Sequence, residues 1–125
     1  SSGWNYDIDW LEDVQVAKYS VGEHYGWHHD AISHDKRKSY HKNYEGRARK
    51  LTAVTLLDDD FSGGEFEISC QIKGGNDNTE ITVMPVDLSL GSIVVFPSFL
   101  WHRVKPVTRG IRHSMQMWCL GSPFK

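Results

Sequence analysis

What most constrains this chain is a succession of short β-branched runs broken by turn signals, with no sustained helical period between them. Val14–Tyr19 is β-branched and half-alternating. Leu51–Leu57 is an apolar run of strand length, and Glu65–Cys70 alternates apolar with polar or charged residues. Glu80–Met84, Ser92–Phe96, Trp101–Lys105 and Arg112–Leu120 follow the same pattern, and an extended block around His28 and Asp30 makes about eight strands. Between them stand a turn over Asp58–Gly64, with three aspartates and Gly63-Gly64, and a Gly/Asn/Asp turn over Lys73–Asn78 that predicts a hairpin. Residues 1–13 leave room for one helical turn at most. Many short strands with little helix predict a sandwich, barrel or jelly roll.

At 125 residues the chain is one domain, with no repeat, low-complexity tract or linker to divide it. A net charge of −2 gives no bulk attraction for nucleic acid, which is not expected as a partner. No apolar run reaches membrane-span length and the N-terminus has no signal-peptide pattern, so a cytoplasmic location is expected. Cys70 and Cys119, two thiols in all, rule out a disulfide framework and fit a reducing interior.

The seven histidines carry the chemistry. His28-x-Asp30 is weak evidence alone, because chance gives a motif of that kind in about every second chain of this composition. On a strand, however, positions i and i+2 share a face, so His28 and Asp30 project together while His29 points away. A third ligand must come from a neighbouring strand. His102, just after the Phe96–Trp101 turn, is the leading candidate, with His24, His34, His41 and His113 as alternatives. Two histidines and one carboxylate make the facial set that leaves open positions on Fe(II). On the strand from Arg112, the even face carries Arg112, Ser114, Gln116 and Trp118, and the odd face, His113, Met115, Met117 and Cys119, reads as core. A buried Arg112 requires an anion: either a protein acid, or a small dicarboxylate held in a fork with help from Ser114.

His28-x-Asp30, His102 and Arg112-x-Ser114, in this order, resemble the Fe(II)/2-oxoglutarate-dependent dioxygenases. The block Tyr19 … Tyr25-Gly26-Trp27-His28-His29-Asp30 is similar to that of the prolyl-4-hydroxylase-like branch. The stretches Gly91–Pro97 and His102–Arg112 look like its bacterial and phage members. The resemblance covers about residues 14–120. It implies an all-β fold with minor α content, a double-stranded β-helix (cupin-like jelly roll) with the metal at its mouth. It implies His28, Asp30 and His102 as iron ligands. Arg112, with Ser114 or Tyr19, would hold the distal carboxylate of 2-oxoglutarate, and Trp118 would line the cosubstrate pocket. Hydroxylation of a peptidyl side chain, proline first, would yield succinate and CO2, with ascorbate as a supporting reductant. A free amino acid or other small molecule is the alternative substrate, and a zinc-binding or non-catalytic cupin-like module the alternative class.

Asp30 argues against the halogenating members, which carry a small residue there, and Trp118 stands where nucleic-acid demethylases have a second Arg. Leu56 occupies the place of a polar cosubstrate contact, so that strand is assigned no such role. Family members carry helices that cover one sheet, and few residues here precede the first strand, so a trimmed core, a minimal member or a covering partner are all open. Seven basic residues fall between Lys36 and Lys50, interleaved with Tyr40 and Tyr44. The 31–50 segment is read as a solvated loop or a lid that engages a peptide. Tyr25, Tyr40, Tyr44 and Trp101 are the candidate substrate contacts.

Overall fold

A computed structural model describes residues 8, 10–31, 48–73 and 79–121, and of 70–73 and 79–82 the backbone alone. Among them are eleven strands and no helix: β1 (Trp10–Leu11), β2 (Gln15–Tyr19), β3 (Tyr25–His28), β4 (Ala48–Leu56), β5 (Phe61–Gly63), β6 (Phe66–Lys73), β7 (Thr79–Val86), β8 (Ile93–Pro97), β9 (Trp101–Val104), β10 (Val107–Gly110) and β11 (Arg112–Gly121). A larger sheet runs β1-β11-β4-β8, with β2 also paired to β11, and a smaller one runs β3-β9-β6-β7. The β5 and β10 strands form a short ladder of their own. Most long-range connections swap sheets: β2 is in the larger, β3 in the smaller, β4 in the larger, β6 and β7 in the smaller, β8 in the larger, β9 in the smaller. All pairings are antiparallel. This winding is the expected double-stranded β-helix.

The core forms where the two sheets face each other. Val54, Phe66, Ile68, Phe96 and Val104 pack together, with the Phe66 and Phe96 rings 5.7 Å apart. Strand β4 alternates strictly between buried and half-buried, placing Ala48, Lys50, Thr52, Val54 and Leu56 inside. Three strands have no clear sequence signal. β1, β5 and β10 have four residues or fewer, and a partner across the ladder holds them more than their own propensity does. The Asp58–Gly64 turn accordingly contains β5.

The odd face of β11 is not core. Arg112, Ser114, Trp118 and Leu120 are buried, while His113, Met115, Met117 and Cys119 are only partly covered. Interior position goes to the face that meets the smaller sheet, whatever its polarity. The outer face of the larger sheet is nonetheless apolar: the registers bring Val16, Met115, Thr55 and Ile93 into one row, with Val16 62% and Ile93 65% exposed. The Lys73–Asn78 turn does join an antiparallel hairpin, β6 to β7, although residues 74–78 lie outside the described set.

Candidate active site

His28 and His102 meet because β3 and β9 pair with these two residues directly opposite each other. The register shifts by one residue between Tyr25 and His28. Residues three apart on a regular strand face opposite ways, so this bulge is what lets Tyr25 and His28 line the same cavity. Their rings lie 3.8 Å apart. The strand ends at His28, so Asp30 lies just past it and not on the same strand as expected, held by its N–H donating to Ser98 O at 2.8 Å. One ligand atom from each of His28, Asp30 and His102 fits within a 4.8 Å group. His28 Nε2 lies 3.5 Å from Asp30 Oδ1, and His102 Nε2 lies 3.2 Å from Asp30 Oδ2.

The donor set suits a divalent metal. Nδ1–H of His28 can donate to Gly26 O (2.7 Å) and Nδ1–H of His102 to Leu100 O (2.9 Å). In that tautomer both Nε2 lone pairs turn toward Asp30, the arrangement that metal-binding imidazoles need. Burial lowers the His28 pKa, which favours the neutral ligand form. Burial works to raise the Asp30 pKa, but in the metal-free protein hydrogen bonding and charge from His102 carrying a proton on Nε2, aided by Trp118 and Thr52, outweigh it and bring it down to about 2. Asp30 is therefore an anion at neutral pH.

The cavity holding these groups has a volume of about 260 Å³ and extends to Arg112. Arg112 is 1% exposed. Its Nε donates to Gly64 O at 3.1 Å and its Nη1 to Ser114 Oγ at 3.1 Å. Gly64 has φ +63°, and a Cβ there would sit 2.8 Å from Arg112 Cδ, so glycine is required both for the turn and for the guanidinium's seat. Tyr19 lies opposite Arg112 in the β2–β11 register, its ring centroid 5.7 Å from the guanidinium carbon. Burial raises the Tyr19 pKa and lowers that of Arg112, which stays a cation. Among the described residues no carboxylate pairs with Arg112 within 4.0 Å. The structural salt bridge that the sequence left open is absent there, and a dicarboxylate ligand fits the position.

Trp118 lines the same cavity at the Asp30 end, six residues along β11 from Arg112, or about 20 Å at about 3.3 Å per residue. Its indole N–H is buried near Asp30 without reaching an acceptor in hydrogen-bond geometry. Arg49 stacks on this ring at 4.1 Å and is gripped by Glu12, with Nε to Oε2 at 2.6 Å and Nη2 to Oε1 at 3.1 Å. Arg49 and Lys50 belong to β4 and not to a loop, which shortens the expected 31–50 segment. Tyr40, Tyr44, His34, His41 and residues 32–47 as a whole lie outside the described residues. Trp101 does not line the cavity. His102 points in, so its neighbour points out, where Trp101 is 43% exposed and meets the His29 ring. His113 bonds Asp58 on the outer side and His24 contacts Gly22 O, so neither joins the triad. Sequence reasoning missed Thr52, Ser98, Glu12 and the inward role of Arg49. The available signal was a hydroxyl at an interior position of an apolar run.

A family model described as the 2OG-Fe(II) oxygenase superfamily matches residues 14–120. A PKHD-type hydroxylase from Synechococcus sp. strain CC9605 is 33% identical over 110 residues, covering 86% of this chain and 41% of its own length. A Pseudomonas putida prolyl-4-hydroxylase structure shares the fold at TM-score 0.62 and 24% identity, covering 90% of this chain and 54% of that one. A Trichoplax adhaerens prolyl hydroxylase, solved with a hypoxia inducible factor oxygen degradation domain peptide fragment, has TM-score 0.62 and 22% identity over 93% of this chain and 46% of its own. The chain spans about two fifths of the length of the curated relatives it matches.

Proposed function

The chain belongs to the 2OG-Fe(II) oxygenase superfamily, and on that premise we propose that it is a single oxygenase domain that hydroxylates a peptidyl side chain, proline first, in a cytoplasmic, reducing setting. His28, Asp30 and His102 hold Fe(II), and Arg112 holds the distal carboxylate of 2-oxoglutarate with Ser114 and Tyr19 beside it. Bound iron, 2-oxoglutarate and oxygen supply the C–H hydroxylation, with succinate and CO2 as co-products. The supporting observation is Arg112: a buried cation with only neutral hydrogen-bond partners, in one cavity with two imidazoles and a carboxylate.

The chain's own groups divide the work. His28 and His102 are fixed by main-chain carbonyls with their lone pairs inward. Asp30 supplies the charge. Arg112 offers two N–H groups in a plane to a carboxylate in a buried pocket, where such a fork is strongest. Tyr25 is half-exposed against His28, and Arg49 over Trp118 forms the far wall, so Trp118, expected to line the cosubstrate pocket, is assigned to the substrate end of the cavity. Glu12 already compensates the Arg49 charge, which speaks for a peptide over a free amino acid needing a carboxylate anchor. The peptide in the Trichoplax adhaerens complex is consistent with that choice.

The test is succinate release with Fe(II), 2-oxoglutarate and ascorbate, alone and with peptide libraries, with mass spectrometry for the gain of one oxygen atom. Proline-containing peptides should gain oxygen and stimulate succinate release. Efficient hydroxylation of free proline, with peptides inert, would replace the peptide reading, and zinc retention with no 2-oxoglutarate turnover would replace the oxygenase reading.

A further inference from the structure

Behind Asp30 stands a pair of buried hydroxyls. Thr52 Oγ1 donates to Asp30 Oδ2 at 2.9 Å, and Thr52 Oγ1 and Ser98 Oγ are 2.9 Å apart. Thr52 is 1% and Ser98 0% exposed. The proton order follows from chemistry. An ionised carboxylate only accepts, so the single Thr52 proton goes to Asp30. Ser98 must then donate to Thr52, giving one directed chain, Ser98 to Thr52 to Asp30. The backbone reinforces it: Ser98 N–H donates to Lys50 O at 2.9 Å, and Ser98 O accepts from Asp30 N–H at 2.8 Å. Ser98 thus holds Asp30 by its main chain and, through Thr52, by its side chain.

On β4, Thr52 sits between Trp118 of β11 and Phe96 of β8. Valine would fill that space with equal β propensity and no polar atom to bury. The geometry points to Thr52 and Ser98 as positioning residues: the Thr52 hydroxyl occupies a lone pair of Asp30 Oδ2, which also faces His102 Nε2 at 3.2 Å, and so favours metal binding through the other oxygen, Oδ1, on the His28 side. A carboxylate free to rotate could bind through both oxygens and fill a position that 2-oxoglutarate or oxygen needs. The hydroxyl pair therefore keeps the site open as well as formed. This inference rests on the triad being a metal site.

The experiment compares wild type, Thr52→Val, Thr52→Ser and Ser98→Ala by Co(II) titration of the metal-free protein, followed by the visible absorption of the bound ion. Melting of each metal-free protein is recorded alongside. Thr52→Val should weaken Co(II) binding roughly tenfold or more, within the range seen when outer-shell partners of metal ligands are removed. Its Co(II) spectrum should also change with coordination number. Thr52→Ser should restore both to near wild type, and Ser98→Ala should show a smaller change of the same kind. Wild-type affinity and spectrum in Thr52→Val would overturn the proposal. If Thr52→Val does not fold, Ser98→Ala decides, and a lowered melting temperature with unchanged affinity and spectrum would make the pair purely structural. Failure of the wild type itself to bind Co(II) would instead reject the metal site.

Discussion

Two arginines line one cavity and are treated in opposite ways. Arg49 is answered inside the protein: Glu12 grips it at 2.6 and 3.1 Å, and Trp118 covers its face at 4.1 Å. Arg112 is more deeply buried, yet its hydrogen bonds go to a carbonyl and a hydroxyl, each at 3.1 Å. Desolvating a guanidinium costs several kcal/mol, which only an anion close by offsets well. Arg49 has that anion as part of the fold. For Arg112 no carboxylate among the described residues lies within 4.0 Å, and Asp58 acts on it only from farther away. Charge alone would rank the two residues alike, and what separates them among the described residues is the acidic partner that Arg49 has within 4.0 Å and Arg112 lacks.

Replacing each arginine by methionine separates the two roles, and the largest effect belongs to Arg112. Arg112→Met should lower kcat/KM for 2-oxoglutarate about 1,000-fold, since loss of one partner from a buried charged pair costs 2–5 kcal/mol or more. Metal affinity should move by less than about threefold, because Arg112 contacts none of the triad. In the metal-free protein the same change should leave the melting temperature level or raise it, as it removes a buried charge with no acidic partner within 4.0 Å among the described residues. Arg49→Met should do the reverse. It leaves the Glu12 carboxylate without its guanidinium and should cost about 3 kcal/mol in urea unfolding, with the 2-oxoglutarate KM within about threefold of wild type.

A milder change sharpens the contrast. Glu12→Gln keeps the shape but removes the charge, so Arg49 becomes more like Arg112. A stability loss of about 1–2 kcal/mol is expected. Small carboxylates such as acetate should then inhibit peptide hydroxylation at concentrations that leave the wild type unaffected.

The acid response of the metal end completes the contrast. The His28 pKa is lowered in the fold, so below about 6.5 the unfolded chain binds the proton first. Stability from neutral His28 is thus present above that pH and lost as pH falls toward the lowered value. Asp30, brought down to about 2 from about 3.9, adds a second loss between those two values. Urea midpoints of the metal-free protein should therefore be flat above pH 7 and decline below it. Asn at position 30 should remove the lower step, and a midpoint that rises on acidification would contradict both assignments.

Much of this was legible in the sequence, for physical reasons that also mark the limits. The strand periods and Gly turns of residues 51–120 fix the β-rich fold, because alternation reports directly on a two-faced sheet. His28, Asp30, His102 and Arg112 stood out because their chemistry has few uses in a core. The orientation of β11 was harder to read. Its methionines and Cys119 suit a core, but the smaller sheet lies on the side of Arg112 and Ser114, and no local pattern carries that information. The bulge that brings Tyr25 and His28 to one cavity depends on β9. Thr52, Ser98 and Glu12 were invisible for a similar reason: each acts through a partner 22 to 46 residues away.

The central claim is that Arg112 waits for the distal carboxylate of 2-oxoglutarate beside the metal. Calorimetric titration of the Mn(II)-loaded protein with 2-oxoglutarate and with 2-oxobutanoate, which lacks that carboxylate, tests it most directly when repeated on Arg112→Met. In the wild type, 2-oxoglutarate should bind about 100-fold more tightly, the worth of a buried carboxylate–guanidinium fork at about 2.7 kcal/mol. In Arg112→Met the two ligands should bind within about threefold of each other, through the loss of 2-oxoglutarate affinity alone. A 100-fold preference that survives in Arg112→Met would contradict the account and assign the carboxylate to another cation.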